Sequence, residues 1–65
     1  MNLDVFRIKI EMARKGLSIA DVAKAANRAP QQIASTLRKG RCNTKMLHLL
    51  SSVLGMDPIE IVIKK

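Results

Sequence analysis

The sequence predicts an all-α fold, a compact bundle of four to five short helices in a single domain covering residues 1–65. Three observations support this prediction. Apolar residues recur at helical spacing in successive segments of the chain. Residues suited to a helix N-cap precede several of these segments. Glycines follow three of them, at Gly16, Gly40 and Gly55, which is typical of helix C-termini.

The first helical segment is Asn2–Lys15. Its apolar residues at helical spacing are Leu3, Phe6, Ile10 and Ala13. The alternation within residues 6–12 would also fit a strand. The length of the segment and the basic residues of its last turn favour a helix, because cations are stabilising at a helix C-terminus.

A second helix is predicted over about residues 19–26. Ser18 and Asp21 have the spacing of a capping box at its start. Asn27 then makes a sharp turn, because asparagine tolerates a positive φ angle better than other non-glycine residues. Pro30 begins a third helix, since its missing N–H would have no partner at the first helical position anyway.

The third helix has two chemically different faces. Ile33 and Leu37 are predicted to point to the core. The opposite face carries polar and cationic side chains at spacings of three, four and seven: Gln31, Gln32, Ser35, Arg38 and Lys39. This face is therefore expected to meet solvent or a polar partner.

A fourth helix is predicted from about Thr44 to Leu54, with Asn43 or Thr44 as its cap. Its predicted core residues are Met46, Leu47, Leu50, Val53 and Leu54. The segment Asp57–Glu60 has a second capping-box pattern and is expected to begin a helix. The β-branched residues that follow lower helix propensity, so a terminal strand stays an open alternative.

The terminal segment is also unusually apolar for one small core. Its members are Met56, Ile59, Ile61, Val62 and Ile63. We nominate this cluster as the contact of a homodimer, since large exposed apolar patches mark interaction sites. The alternative is that these residues only close the core of the monomer.

The charge of the chain is strongly positive and unevenly placed. Twelve lysines and arginines against five acidic residues give a net charge of +7. Between Asp21 and Asp57 there is no acidic residue, and the cations there are Lys24, Arg28, Arg38, Lys39, Arg41 and Lys45. Such a surface suits a polyanion, because each neutralised phosphate releases counterions. Phe6 is the only aromatic residue, so the stacking surface needed for single strands is missing and double-stranded DNA is the better candidate.

Other classes of function have little support in the sequence. Cys42 and His48 cannot supply the four ligands of a structural zinc site. One histidine, one cysteine and scattered carboxylates offer no catalytic set, so we expect no enzyme, no cofactor and no small-molecule ligand. The chain shows neither a membrane span nor a signal peptide, and we expect a cytoplasmic protein without a membrane partner.

Two short helices joined by a tight turn form a helix-turn-helix unit. Here the sequence resembles the lambda-repressor/Cro-like helix-turn-helix family over roughly residues 5–63. The matching residues are Gly16-Leu17-Ser18, Val22-Ala23, Asn27, Ile33, Gly40 and Leu54-Gly55. The resemblance implies a lambda-repressor-like bundle and a bacterial or phage-encoded regulator that binds an operator as a dimer.

The resemblance also implies roles for individual residues. Base reading falls to Gln31, Gln32 and Ser35, and a glutamine amide can pair bidentately with adenine. Contacts with the DNA backbone are expected from Ser18, Lys24, Arg28, Arg38, Lys39, Arg41 and Lys45. Met12 and Leu37 stand where many relatives carry a buried ion pair, so we predict that these two side chains touch.

A second class of function stays open at this point. A protein-interaction module, such as an antirepressor, could keep the same fold and bind another regulator. The salt dependence of binding distinguishes the two classes of function. Affinity for DNA falls steeply with added salt, whereas affinity for a protein through an apolar contact is much less affected.

Overall fold

The computed structural model of the chain describes residues 1–63, and these are mostly helical, as predicted. They form four α-helices, one 3-10 turn and a small antiparallel sheet of two strands. In chain order the elements are β1 (Asn2–Leu3), α1 (Val5–Lys15), α2 (Ile19–Ala26), α3 (Pro30–Lys39), α4 (Thr44–Leu54), the 3-10 turn (Pro58–Glu60) and β2 (Val62–Ile63).

Local side-chain chemistry sets the helix ends much as the sequence predicts. Ser18 and Asp21 form the capping box of α2, and the Asn43 side chain accepts the Met46 N–H at 2.9 Å to cap α4. Asn27 ends α2 with φ 57°, the left-handed conformation that asparagine tolerates. Helices α1, α3 and α4 each end at a left-handed glycine. The turn between α2 and α3 is therefore fixed by sequence-local interactions.

The two strands connect distant parts of the chain. β1 pairs antiparallel with β2, with Asn2 opposite Ile63. On its other side, β1 reaches the connection between α3 and α4, where the Leu3 N–H donates to the Gly40 carbonyl at 2.8 Å. Both alternatives for the terminal segment are thus realised in part, since a short 3-10 turn with its capping box precedes the strand.

The core is one cluster to which every helix contributes. Its buried members are Leu3, Ile8, Met12, Val22, Ala23, Ile33, Leu37, Met46, Leu47, Leu50, Leu54 and Ile61. Met12 and Leu37 both belong to this cluster, as their predicted contact requires. The direct contact between their side chains stays a prediction.

The predicted apolar face of the first helix is wrong. Phe6 is 76% exposed and Ile10 46% exposed, and Ala13 also faces solvent, whereas Ile8 and Met12 are buried. The chain enters α1 from strand β1. Side chains two residues apart on an α-helix point in directions about 200° apart around its axis. With Ile8 turned inward, Phe6 and Ile10 must therefore turn outward.

The nominated dimer cluster needs a correction at Ile61. This side chain is completely buried in the monomer and offers no surface to a second chain. Met56 and Val62 are half-buried against the same core. Only Ile59 at 70% and Ile63 at 43% remain well exposed, so the surface available for a dimer is smaller than the sequence suggests.

Candidate nucleic-acid interface

Helix α3 lies on α2 and turns its polar side outward. The inward faces are Val22, Ala23 and Ala26 on α2 and Ile33 and Leu37 on α3, all buried. After the Asn27 turn, the Arg28 N–H donates to the Ala23 carbonyl at 2.8 Å, which fixes the connection. Because apolar burial holds one side of α3, its opposite side is presented to solvent on a fixed support.

The predicted base-reading residues occupy this outward side. Gln31 and Gln32 are exposed, as predicted, and Ser35 is half-buried. Arg38 and Lys39 are exposed in the last turn of the helix. Two neighbouring carboxamides thus stand free at the start of α3, where each can both donate and accept a hydrogen bond.

A cleft of about 220 Å³ lies beside this side of α3. It is lined by Arg28, Gln32, Thr36, Cys42, Asn43, Lys45 and Met46. Arg28 comes from the turn before α3, and Lys45 comes from the first turn of α4. The fold therefore brings two of the predicted backbone-binding cations together with one of the predicted base-reading amides. The two cations are separated by 16 residues along the chain.

The charged side chains that line this cleft, Arg28 and Lys45, are both cationic. Within residues 1–63 the ion pairs join Arg7 to Glu60, and Arg14 and Lys15 to Glu11. Neither Arg28 nor Lys45 forms an ion pair with a carboxylate among these residues. Burial raises the pKa of the Cys42 thiol, so that this lining residue stays neutral. The cleft therefore suits an anionic group with oxygen acceptors, such as a phosphodiester.

The start of α3 adds to this positive character. Ala29 supplies no side-chain cap, Pro30 has no N–H, and the first turn contains no acidic residue. The positive end of the helix dipole is thus left without a counter-charge from its own helix. Arg28 stands directly before it, so a phosphate near this point would meet both.

Ser18 is the predicted backbone-binding residue whose polar groups are already engaged within the chain, and its contact with a phosphate stays a prediction. Its N–H and its hydroxyl both donate to Asp21 Oδ2 at 2.9 Å, and these hydrogen bonds lower the pKa of the Asp21 carboxyl. The start of α2 therefore already holds a negative charge. A phosphate at that point would meet repulsion from this carboxylate.

The remaining predicted cations are exposed but do not line the cleft. They are Lys24, Arg38, Lys39 and Arg41. Thr36 and Asn43 line it without having been predicted as site residues; the Thr36 hydroxyl donates to the Gln32 carbonyl at 2.8 Å. Only their positions in the sequence could have indicated this role. Thr36 lies one helical turn beyond Gln32, and Asn43 closely precedes Lys45.

No protein-family model, curated protein or solved structure matches this chain. Among residues 1–63, every helix is too short or too polar to cross a bilayer. The function is therefore inferred from the geometry and charge of the surface around α3.

Proposed function

We propose that this protein is a sequence-specific double-stranded DNA-binding transcriptional regulator of the lambda-repressor/Cro-like kind. It would act in the cytoplasm of a bacterium, encoded by a phage or by the chromosome, and occlude an operator. One observation carries the proposal. The exposed amide of Gln32 lines a cationic cleft and the exposed amide of Gln31 precedes it on the same helix, in a stretch of chain that contains no acidic residue from position 22 to position 56.

The dimensions of α3 suit a major groove. Its 10 residues span about 15 Å, and an α-helix about 10–12 Å wide fits a groove about 12 Å wide. In this arrangement Gln31 and Gln32 reach base edges. Arg28 and Lys45 bind the phosphates beside them, which sets the register of the helix on the duplex.

A homodimer completes the proposed mechanism. An apolar groove of about 400 Å³ lies at the terminal strand and is lined by Met1, Asn2, Leu47, Pro58, Ile59, Val62 and Ile63. β2 is the edge of the described sheet, and edge strands offer unpaired backbone groups to another chain. For the two α3 helices of such a dimer to enter successive major grooves, they must lie about 34 Å apart.

The dimer proposal predicts that Ile59→Asp lowers the mass of the protein on DNA to that of a monomer. Ile59 is 70% exposed within the apolar groove, so the new carboxylate would oppose the contact without disturbing the core. Sedimentation of the protein alone and bound to duplex measures the change. Ala20→Asp, at an exposed position of α2, adds the same charge elsewhere and should leave the mass unchanged. An Ile59→Asp variant that sediments like the wild type would remove this contact.

Selection of bound duplexes from a random pool tests the proposed function directly. The wild type should enrich a motif made of two half-sites. Gln31→Ala should change the base preference at one position of each half-site, because a bidentate amide–adenine pair contributes about 1–3 kcal/mol of discrimination. Ser52→Ala, an exposed position on α4, is the matched control and should select the wild-type motif.

The outcomes of this selection are distinct. Uniform weakening by Gln31→Ala, with the motif unchanged, would give Gln31 a positioning role only. Failure of the wild type to enrich any duplex, even at low salt, would contradict the proposed function.

A further inference from the structure

Two polar side chains of the cleft beside α3, Thr36 and Asn43, take no part in the contacts with DNA described so far. The oxygens of a phosphodiester only accept hydrogen bonds. A neutral side chain can therefore bind a phosphate only through an N–H or O–H that is not already used within the protein. The hydrogen bonds that Thr36 and Asn43 make within the chain decide which of them has such a donor.

The Thr36 hydroxyl has no donor left for a ligand. It donates to the Gln32 carbonyl, one helical turn earlier, at 2.8 Å. A hydroxyl has one hydrogen, so Thr36 offers the cleft only acceptor lone pairs, which a phosphate cannot use. Thr36 is thus part of the wall of the cleft and not a phosphate ligand.

The Asn43 carboxamide is engaged through only one of its two polar atoms. Its Oδ1 accepts the Met46 N–H at 2.9 Å and caps α4. Its Nδ2 carries two hydrogens on the other arm of the same planar group, and residues 1–63 provide no acceptor for either. Asn43 is exposed and lines the cleft, so both donors are accessible to a ligand there.

The cap also fixes the direction of the Asn43 amide. Rotation of the side chain would break the hydrogen bond to Met46, a residue of the buried core. The preceding residue is held as well, because the Cys42 N–H donates to the Met1 carbonyl at 3.1 Å. A donor that is already held in place loses little conformational entropy on binding, in contrast to the long side chains of Arg28 and Lys45.

We propose that Asn43 binds a phosphate of the DNA backbone through Nδ2 while Oδ1 caps α4. This inference rests on the proposed function and adds a neutral, directional donor to the two cations of the cleft. Arg28 and Lys45 supply the charge that attracts the backbone. The Asn43 amide sets where along the backbone the protein sits, which is the positioning role of phosphate contacts.

Asn43→Gly tests the contact, because it removes the donor without changing the charge. Glycine is well tolerated at an N-cap, so the fold should persist. Affinity for a labelled duplex that carries the selected motif should fall about tenfold, the effect of one lost hydrogen bond to a charged group. The slope of log affinity against log salt should keep the wild-type value, since no cation is lost.

Ser52→Gly is the matched control for this variant. Ser52 is exposed on α4 and does not line the cleft. A glycine inside a helix costs more stability than a glycine at the N-cap. The control should therefore melt at a lower temperature than Asn43→Gly and yet bind the duplex like the wild type.

Asn43→Asp is a second variant, and it keeps the cap. Aspartate caps a helix as well as asparagine does, so thermal melting should stay close to that of the wild type. Its carboxylate has no donor and would repel the phosphate. Affinity should fall about tenfold more than in Ser52→Asp, which adds the same charge to α4 outside the cleft.

Three results would overturn the proposal while leaving the proposed function intact. Wild-type affinity in Asn43→Gly would make Asn43 a helix cap only. A reduced salt slope in Asn43→Gly would show that the lost contact belongs to a cation, such as Lys45, that the variant has displaced. Equal weakening by Asn43→Asp and Ser52→Asp would assign the effect to net charge. A wild type that binds no duplex would remove the proposed function and this contact together.

Discussion

Ile61→Asp is expected to unfold the protein at room temperature. Ile61 is completely buried, and its carbonyl accepts the Asp4 N–H at 2.8 Å at the start of α1. The substitution removes about 2 kcal/mol of apolar burial and leaves a carboxylate with no partner in the core, at a cost of several kcal/mol more. A core of this size supplies only about 3–5 kcal/mol of net stability. Loss of the cooperative urea transition, followed by far-UV circular dichroism, measures the effect.

Ile63→Asp is the matched control for this experiment. It makes the same chemical change two residues later, at a position 43% exposed, and should cost about 1 kcal/mol or less. An Ile61→Asp variant as stable as Ile63→Asp would contradict the placement of Ile61 in the core.

Arg28→Ala combined with Lys45→Ala is expected to weaken duplex binding strongly and to reduce its dependence on salt. These cations lie in one cleft beside Gln32, and neither has an ion pair within residues 1–63. Each lost phosphate contact should reduce the slope of log affinity against log salt by about 0.9, and two lost contacts should lower the affinity about 30-fold at 0.15 M salt. Fluorescence anisotropy with a labelled duplex at several salt concentrations gives both quantities.

A charge-matched control separates the cleft from net charge. Lys9→Ala combined with Arg14→Ala removes the same two charges from α1 and should leave the salt slope close to the wild-type value. Equal loss in both double variants would mean that overall charge, and not the cleft, attracts DNA. The proposed phosphate contacts of Arg28 and Lys45 would then be wrong.

The features predicted well from the sequence are those set by neighbouring residues. The capping box at Ser18, the left-handed turn at Asn27 and the proline at the start of α3 each act within a few positions. Their preferences are energetically local, so the ends of α2 and α3 follow from the sequence. The outward placement of Gln31 and Gln32 follows in turn from burying Ile33 and Leu37.

The predictions that were wrong concern residues whose burial depends on contacts between distant segments of the chain. Phe6/Ile10 and Ile8/Met12 have the same four-residue spacing, so periodicity could not decide which pair turns inward. That choice depends on β1, which pairs with residues about 60 positions away. Ile61 ends the 3-10 turn with ψ 5° and is not part of β2, so the alternation of a strand does not predict its direction, and only the packed core decides that Ile61 is buried and Ile63 is exposed. The meeting of Arg28 with Lys45 is also a product of tertiary packing.

The short strand β1 connects the C-terminal end of α3 to β2 through backbone hydrogen bonds. It bonds to Gly40, the residue that ends α3, and on its other side to the edge strand where we place the second copy. A shift of β2 on association would therefore pass through one ladder of hydrogen bonds to the C-terminal end of α3. Pairing of two chains and seating of α3 in the duplex would then be thermodynamically linked, and each would change the equilibrium constant of the other by the same factor.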